Sequence, residues 1–240
     1  MSDSLPLLLL TRPRMQADRF ARQFTERFGS DFAIAIAPVL EIVLYDRPVS
    51  LDGVGGVVFT SENGVAGLAA VTTDRTPHAY CVGDRTADAA REAGFQARSA
   101  RGTAEELIEV IAADPPSGSL LHLRGEHVRG DICGALSARG FAATDCVVYD
   151  QRACEIPQPV KDAVADARLT YLPLFSPRSA RIVSAELRAS PARLAIISMS
   201  PAVTEAWTGP APESLVEAAY PDGAGMLDAF ETLIAASRAP

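Results

Sequence analysis

Lysine is nearly absent: of 22 basic residues only Lys161 is not an arginine. Also missing are a CxxC pair, a GxxxxGK(S/T) loop, a GxGxxG turn between strand and helix, and a Thr/Ser-rich phosphate loop of flavodoxin type. These gaps argue against the standard zinc-cysteine, nucleotide and flavin sites. The longest apolar run, Leu5 to Leu10, is far shorter than the ~20 residues a bilayer demands, and Ser2 and Asp3 stand where a signal peptide carries positive charge. No membrane partner is expected. A formal charge of -8 with interspersed acids speaks against nucleic acid, which needs clustered positive charge. The four cysteines, Cys81, Cys133, Cys146 and Cys154, lie in or beside apolar stretches, as reduced thiols do in a cytoplasm. The three histidines, His78, His122 and His127, build neither a metal site nor a Ser/His/Asp triad: no fourth ligand converges, and none follows a nucleophile elbow.

What is present is an ordinary globular composition, 48% apolar and 22% charged over 240 residues, enough for one large domain or two small lobes. The arginine bias is first a matter of codon usage, although a planar guanidinium also suits carboxylate recognition. Short apolar runs alternate with helical patterns, the mark of a parallel sheet covered on both faces. Strands are expected at 7–10, 33–39, 56–60, 79–82, 120–123, 146–149, 171–175 and 194–197. Helices are expected at 14–28, 64–70, 86–93, 104–112, 129–138, 178–187 and 225–236.

Two kinds of unit recur. Leu7 to Arg12 leads through a helix to Gly29, and Leu120 to Arg124 leads likewise to Gly140; the arginine-to-glycine spacings are 17 and 16. Val57 to Ser61 leads to the turn at Gly83, and Tyr171 to Ser176 to the turn at Ser198, with spacings of 24 and 23 from the phenylalanine. The chain therefore reads A, B, A′, B′, a duplicated plan. Tandem pairing would divide it near Asp114–Gly118; the interleaved pairing would join the middle units and make two extended crossings near 39–46 and 149–156. The residues by themselves leave both open.

In open parallel sheets ligands gather at the carboxyl ends of strands, where helix amino termini present unpaired N–H groups. Thr60-Ser61, Gly83 to Thr86, Arg124-Gly125, Ser176-Pro177 and Ser198 to Ser200 occupy such turns. Helix capping explains any one of them; together they resemble a surface for anions.

The succession Phe59-Thr-Ser61, Val82-Gly83 with Thr86-Ala87, Gly94-Phe95, Gly102 to Leu107, Arg124-Gly125 with Arg129, Gly140-Phe141, Val148-Tyr149 and Phe175-Ser176-Pro177 resembles the uroporphyrinogen-III synthase family over nearly the whole chain. That resemblance implies an α/β fold of two flavodoxin-like lobes joined by a two-stranded β linker, with the active site in the cleft between them. It selects the interleaved pairing: residues 1–38 and 153–240 as lobe one, 46–149 as lobe two, 39–45 and 150–152 as crossings. It implies a cytoplasmic lyase of tetrapyrrole (haem) synthesis that needs no cofactor. It further implies hydroxymethylbilane as the substrate, a hand-over from hydroxymethylbilane synthase, and a monomeric enzyme. Tyr149 matches the family tyrosine thought to assist hydroxyl departure. Substrate carboxylates would meet hydroxyls and main-chain N–H groups at Thr60, Ser61, Gly83, Thr86, Ser176 and Ser200, and the cations Arg12, Arg124 and Arg129. One departure concerns Ser198-Met199-Ser200-Pro201, where the family usually has Ile-Gly followed by Thr-Ala. A serine is disfavoured in a left-handed turn, so that edge is expected to differ.

Overall fold

Four consecutive leucines form the first strand, β1 (Leu7–Leu10), and all four are buried. A run without polar alternation is what a strand covered on both faces requires. Leu7 and Leu9 enter one core cluster, Leu8 and Leu10 another. The computed structural model describes residues 5–127 and 130–238. In chain order β1 is followed by α1 (Arg14–Phe28), β2 (Ala33–Ile36), β3 (Leu40–Leu44), β4 (Val54–Phe59), α2 (Glu62–Val71), β5 (His78–Cys81), α3 (Asp84–Glu92), β6 (Ala97–Ser99) and α4 (Ala104–Ala113). Then come β7 (Ser119–Gly125), α5 (Ile132–Ala138), β8 (Ala143–Ala153), α6 (Gln158–Asp166), β9 (Thr170–Leu174), α7 (Pro177–Glu186), β10 (Leu194–Ser198), α8 (Pro201–Glu205), β11 (Ser214–Glu217) and α9 (Gly223–Arg238).

The chain divides into two units, Met1–Glu41 with Ala153–Pro240, and Ile42–Arg152. In the first, the sheet order is β11-β10-β9-β1-β2 and every pairing is parallel. Counted along the chain this is the doubly wound order 2-1-3-4-5. One face packs Leu172, Leu174, Leu194 and Ile196 under α6 and α7; the other packs Tyr171, Ala195 and Ile197 against Phe20, Phe24 and Phe230 of α1 and α9.

The second sheet has the order β3-β8-β7-β4-β5-β6. From β4 onward its strands follow the other common doubly wound order, 3-2-1-4-5, and pair in parallel. Val57, Phe59, Leu121 and Leu123 face α2 and α3, while Val58, Tyr80 and Leu120 face α4 and α5. Beside it, Tyr45 N–H donates to Val148 and Cys154 N–H to Val39, both at 2.9–3.0 Å, so the two extended segments run in opposite senses.

Strand β8 carries an irregularity that matters for the site. Its residues pair in step with β7 as far as Arg124 with Val147, but Gly125 pairs with Tyr149, leaving Val148 as an extra residue. Such a bulge reverses the faces of everything after it. Val148 and Tyr149 consequently lie in the same core cluster, on the α2 side, although neighbouring strand residues ordinarily point apart.

Some expected boundaries shift. The helix expected from Arg129 begins at Ile132, where the Asp131 carboxylate accepts from Gly134 N–H at 2.7 Å and so caps it. Helix α6 carries only Val164 as a fully buried residue, too little apolar pattern to read in advance. Strands β6, of three residues, and β11, an edge with exposed alternate positions, are equally faint.

Candidate functional site

In a doubly wound sheet a crevice opens where two adjacent strands send their following helices to opposite faces. In the second unit those strands are β4 and β7: α2 packs on one face and α5 on the other. In the first unit they are β1 and β9, followed by α1 and α7 on opposite faces. Thr60, Ser61 and Arg124 follow or end the first pair of strands; Arg12 and Ser176 follow the second.

Ser61 has extended backbone angles and caps α2, its oxygen accepting from Gly64 N–H at 3.3 Å. The same oxygen lies 3.0 Å from the Tyr149 hydroxyl. Tyr149 is only 7% exposed. Its ring lies over Gly125, where a Cβ would come within 2.7 Å of ring carbons. Its carbonyl accepts from Glu126 N–H at 2.9 Å. Helix α2 comes close enough to hold this arrangement because Gly64 and Gly67 are bare: added Cβ atoms would fall 2.6 Å from the Leu123 oxygen and 2.7 Å from Val148 Cγ2.

Thr60, next to Ser61, places Oγ1 3.4 Å from Nε2 of His122, which is 5% exposed. Burial pulls the His122 pKa down to about 4, opposed by Asp145 and reinforced by Arg124. His122 is therefore neutral near pH 7. Arg124 is not an isolated cation: its Nε pairs with the Asp145 carboxylate and its NH1 donates to the Gly125 carbonyl at 3.0 Å. His122, Arg124 and Asp145 border a cavity of about 260 Å³ lined also by Asp131 and Cys133. Sequence reading missed Asp145 because its partner is 21 residues away and no local pattern marks the pair.

Gly83 and Thr86 lie one strand further along, at the start of α3; Gly83 is extended and faces no atom a Cβ would strike, and Thr86 is buried. In the first unit the Arg12 guanidinium stacks 3.9 Å from the Phe175 ring centre, beside Ser176, which caps α7 by accepting from Ser179 N–H at 3.1 Å. Ser200 precedes α8 but makes no side-chain cap. Arg129 lies outside the described residues. Ser198 does not stand in the left-handed turn that would have disfavoured it. Ser198 ends β10 fully buried, with its hydroxyl 2.6 Å from that of Thr204, which donates to Glu217 at 2.7 Å. Arg101 is the sole described non-glycine residue with positive φ, so Ser198 bears no left-handed strain.

Among the described residues no group of three His, Cys, Asp or Glu side chains could hold a metal ion, and no helix is long and apolar enough to cross a membrane.

Fold and site together define a two-unit, doubly wound α/β protein with polar groups at both strand-switch crevices. Residues 18–228 match the family described as uroporphyrinogen-III synthase HemD. The chain belongs to that family of tetrapyrrole-biosynthesis enzymes. Its fold is similar to the crystal structure of uroporphyrinogen-III synthetase from Helicobacter pylori 26695, with TM-score 0.61 and 15% identity, covering 96% of this chain and 100% of that one. A mutant uroporphyrinogen III synthase from the extremely thermophilic bacterium Thermus thermophilus aligns at TM-score 0.49 and 16% identity, over 97% and 100% of the two chains. No curated protein matches the sequence.

Proposed function

We propose that the protein is a uroporphyrinogen-III synthase, a hydro-lyase that cyclises hydroxymethylbilane to uroporphyrinogen III with inversion of ring D. The observation that carries this reading beyond family membership is the Tyr149 hydroxyl, held by Ser61 at 3.0 Å beside the crevice between β4 and β7. The reaction is redox-neutral and loses one water. Tyr149 donates a proton to the departing hydroxyl, which leaves as water, and the remaining cation is attacked by the substituted carbon of ring D to give a spiro intermediate. Fragmentation and recombination invert the ring, and the proton lost on rearomatisation restores the balance. The rest of the work is holding a flexible chain in a reactive fold, a contribution of up to ~7 to 11 kcal/mol in favourable systems.

Substrate carboxylates would be received by Thr60, Gly83, Thr86 and Ser176 at strand ends, by Ser200, and by Arg12, Arg124 and Arg129. Arg12 and Arg124 are aligned by Phe175 and Asp145, which limits the side-chain entropy lost on binding. A protein of net charge -8 meets an acidic ligand best through such local positive groups.

The test is turnover of enzymatically generated hydroxymethylbilane with separation of product isomers. Wild-type protein should give the type III isomer. Tyr149→Phe should fold normally and lose ~10²- to 10⁴-fold in kcat, the range of a missing general acid. Spontaneous closure without inversion would then yield more type I product. No type III product from the wild type would overturn the activity; an unchanged rate in Tyr149→Phe would make Tyr149 structural.

A further inference from the structure

Ser61 was expected to touch substrate, yet its hydroxyl is already engaged on both sides. Its oxygen accepts from Gly64 N–H at the amino end of α2, a helix of ten residues, and lies 3.0 Å from the Tyr149 hydroxyl. An oxygen that accepts an N–H at the positive end of a helix is a poorer second acceptor and a stronger donor. The Ser61 proton is thus best directed at the Tyr149 oxygen, which leaves the phenolic proton pointing away from Ser61. The tyrosine ring has little freedom to change this: Gly125 lies against its carbons, the Val148 bulge fixes its face, and Gly67 lets α2 press on Val148.

We infer that Ser61 is a positioning residue for Tyr149, aiming its phenolic proton at the substrate. This rests on Tyr149 being the proton donor, and it assigns Ser61 to Tyr149 instead of to a substrate carboxylate.

A double-mutant cycle with wild type, Ser61→Ala, Tyr149→Phe and the double variant tests it. Ser61→Ala should lower kcat about tenfold, the worth of one hydrogen bond, with KM little changed. In the Tyr149→Phe background the same substitution should lower kcat no further, and Ser61→Thr should restore activity. Losses that add, or a change in KM alone, would overturn the assignment in favour of direct substrate contact. Because Ser61→Ala also removes a helix cap, Gly125→Ala provides an independent variant: it displaces the ring with the cap intact and should also lower kcat. A second readout needs no turnover. In protein labelled with 13Cζ-tyrosine, the Tyr149 resonance is identified by its loss in Tyr149→Phe. It should shift in Ser61→Ala and return in Ser61→Thr; a resonance that stays put would overturn the contact. Should the wild type form no type III product, the proposed activity fails, while the labelled resonance still decides whether Ser61 holds Tyr149.

Discussion

At the scale of single residues, polar groups reach the crevice only with partners. Arg124, partly buried, is paired with the more exposed Asp145, and His122 is accommodated by remaining neutral. The sign of its pH effect follows from that. With a folded pKa of about 4 and an ordinary value of 6.5, the unfolded chain binds more protons between those limits, so stability falls as pH drops from 6.5 towards 4. The full loss is about 3 kcal/mol. Urea unfolding at pH 7.5 and 4.5 should show this decline, and His122→Gln should flatten it. Asp145, Arg124, Asp131 and Cys133 share the cavity and are the same in both proteins, so the difference between wild type and variant isolates His122. An equal decline in both would mean the imidazole is not the group responsible.

At the scale of elements, the site depends on how closely α2 lies to β7 and β8. Gly67 and Gly83 make a useful contrast. Neither has positive φ, and Ala is intrinsically the better helix residue at Gly67 by about 1 kcal/mol. A methyl at Gly67 would meet Val148 at 2.7 Å, whereas one at Gly83 meets nothing within 4 Å. Overpacking costs typically 1–3 kcal/mol. Gly67→Ala should therefore destabilise the protein by up to about 2 kcal/mol net of its propensity gain, and Gly83→Ala should leave the unfolding free energy in urea within about 0.5 kcal/mol of wild type. Similar stabilities for the two variants would show that α2 can move off Val148 without loss. At α4 the local sequence suffices: the Thr103 and Glu106 pair makes a reciprocal capping box from residues adjacent in the chain.

At the scale of the whole molecule, the second unit is one continuous stretch, Ile42–Arg152, with its own two-faced core. We propose that it is a folding domain: an excised fragment of residues 42–152 should unfold cooperatively in urea. A fragment of residues 1–113 should not, since it contains β1 and β2 without β9 and β10, and β4 without β7. Cooperative folding of 1–113 with an unfolded 42–152 would reverse this assignment. The contrast follows from domain economy: a sheet that lacks its central neighbour leaves apolar faces and backbone groups unpaired.

The sequence by itself determined what is local. Four leucines in succession meant a strand buried on both faces, alternating apolar runs and helices meant α/β, Ser61 and Ser176 stood at strand-to-helix turns where capping was one reading and anion contact the other, and the repeated spacings announced a duplicated plan. Which strands meet was not local. The A, B, A′, B′ pattern fits two pairings, and only the tertiary structure seats β9 beside β1 and β7 beside β4. The direction of Tyr149 was hidden for the same reason. Strict alternation from Asp145 would aim it at the α5 face, but the extra residue Val148 turns it to α2 and brings it to Ser61, 88 residues earlier. A bulge is a mismatch between two strands, and Arg124 with Asp145 is a pairing between two strands; neither has a signature in either strand alone, because each is fixed by register, which exists only once the sheet has formed.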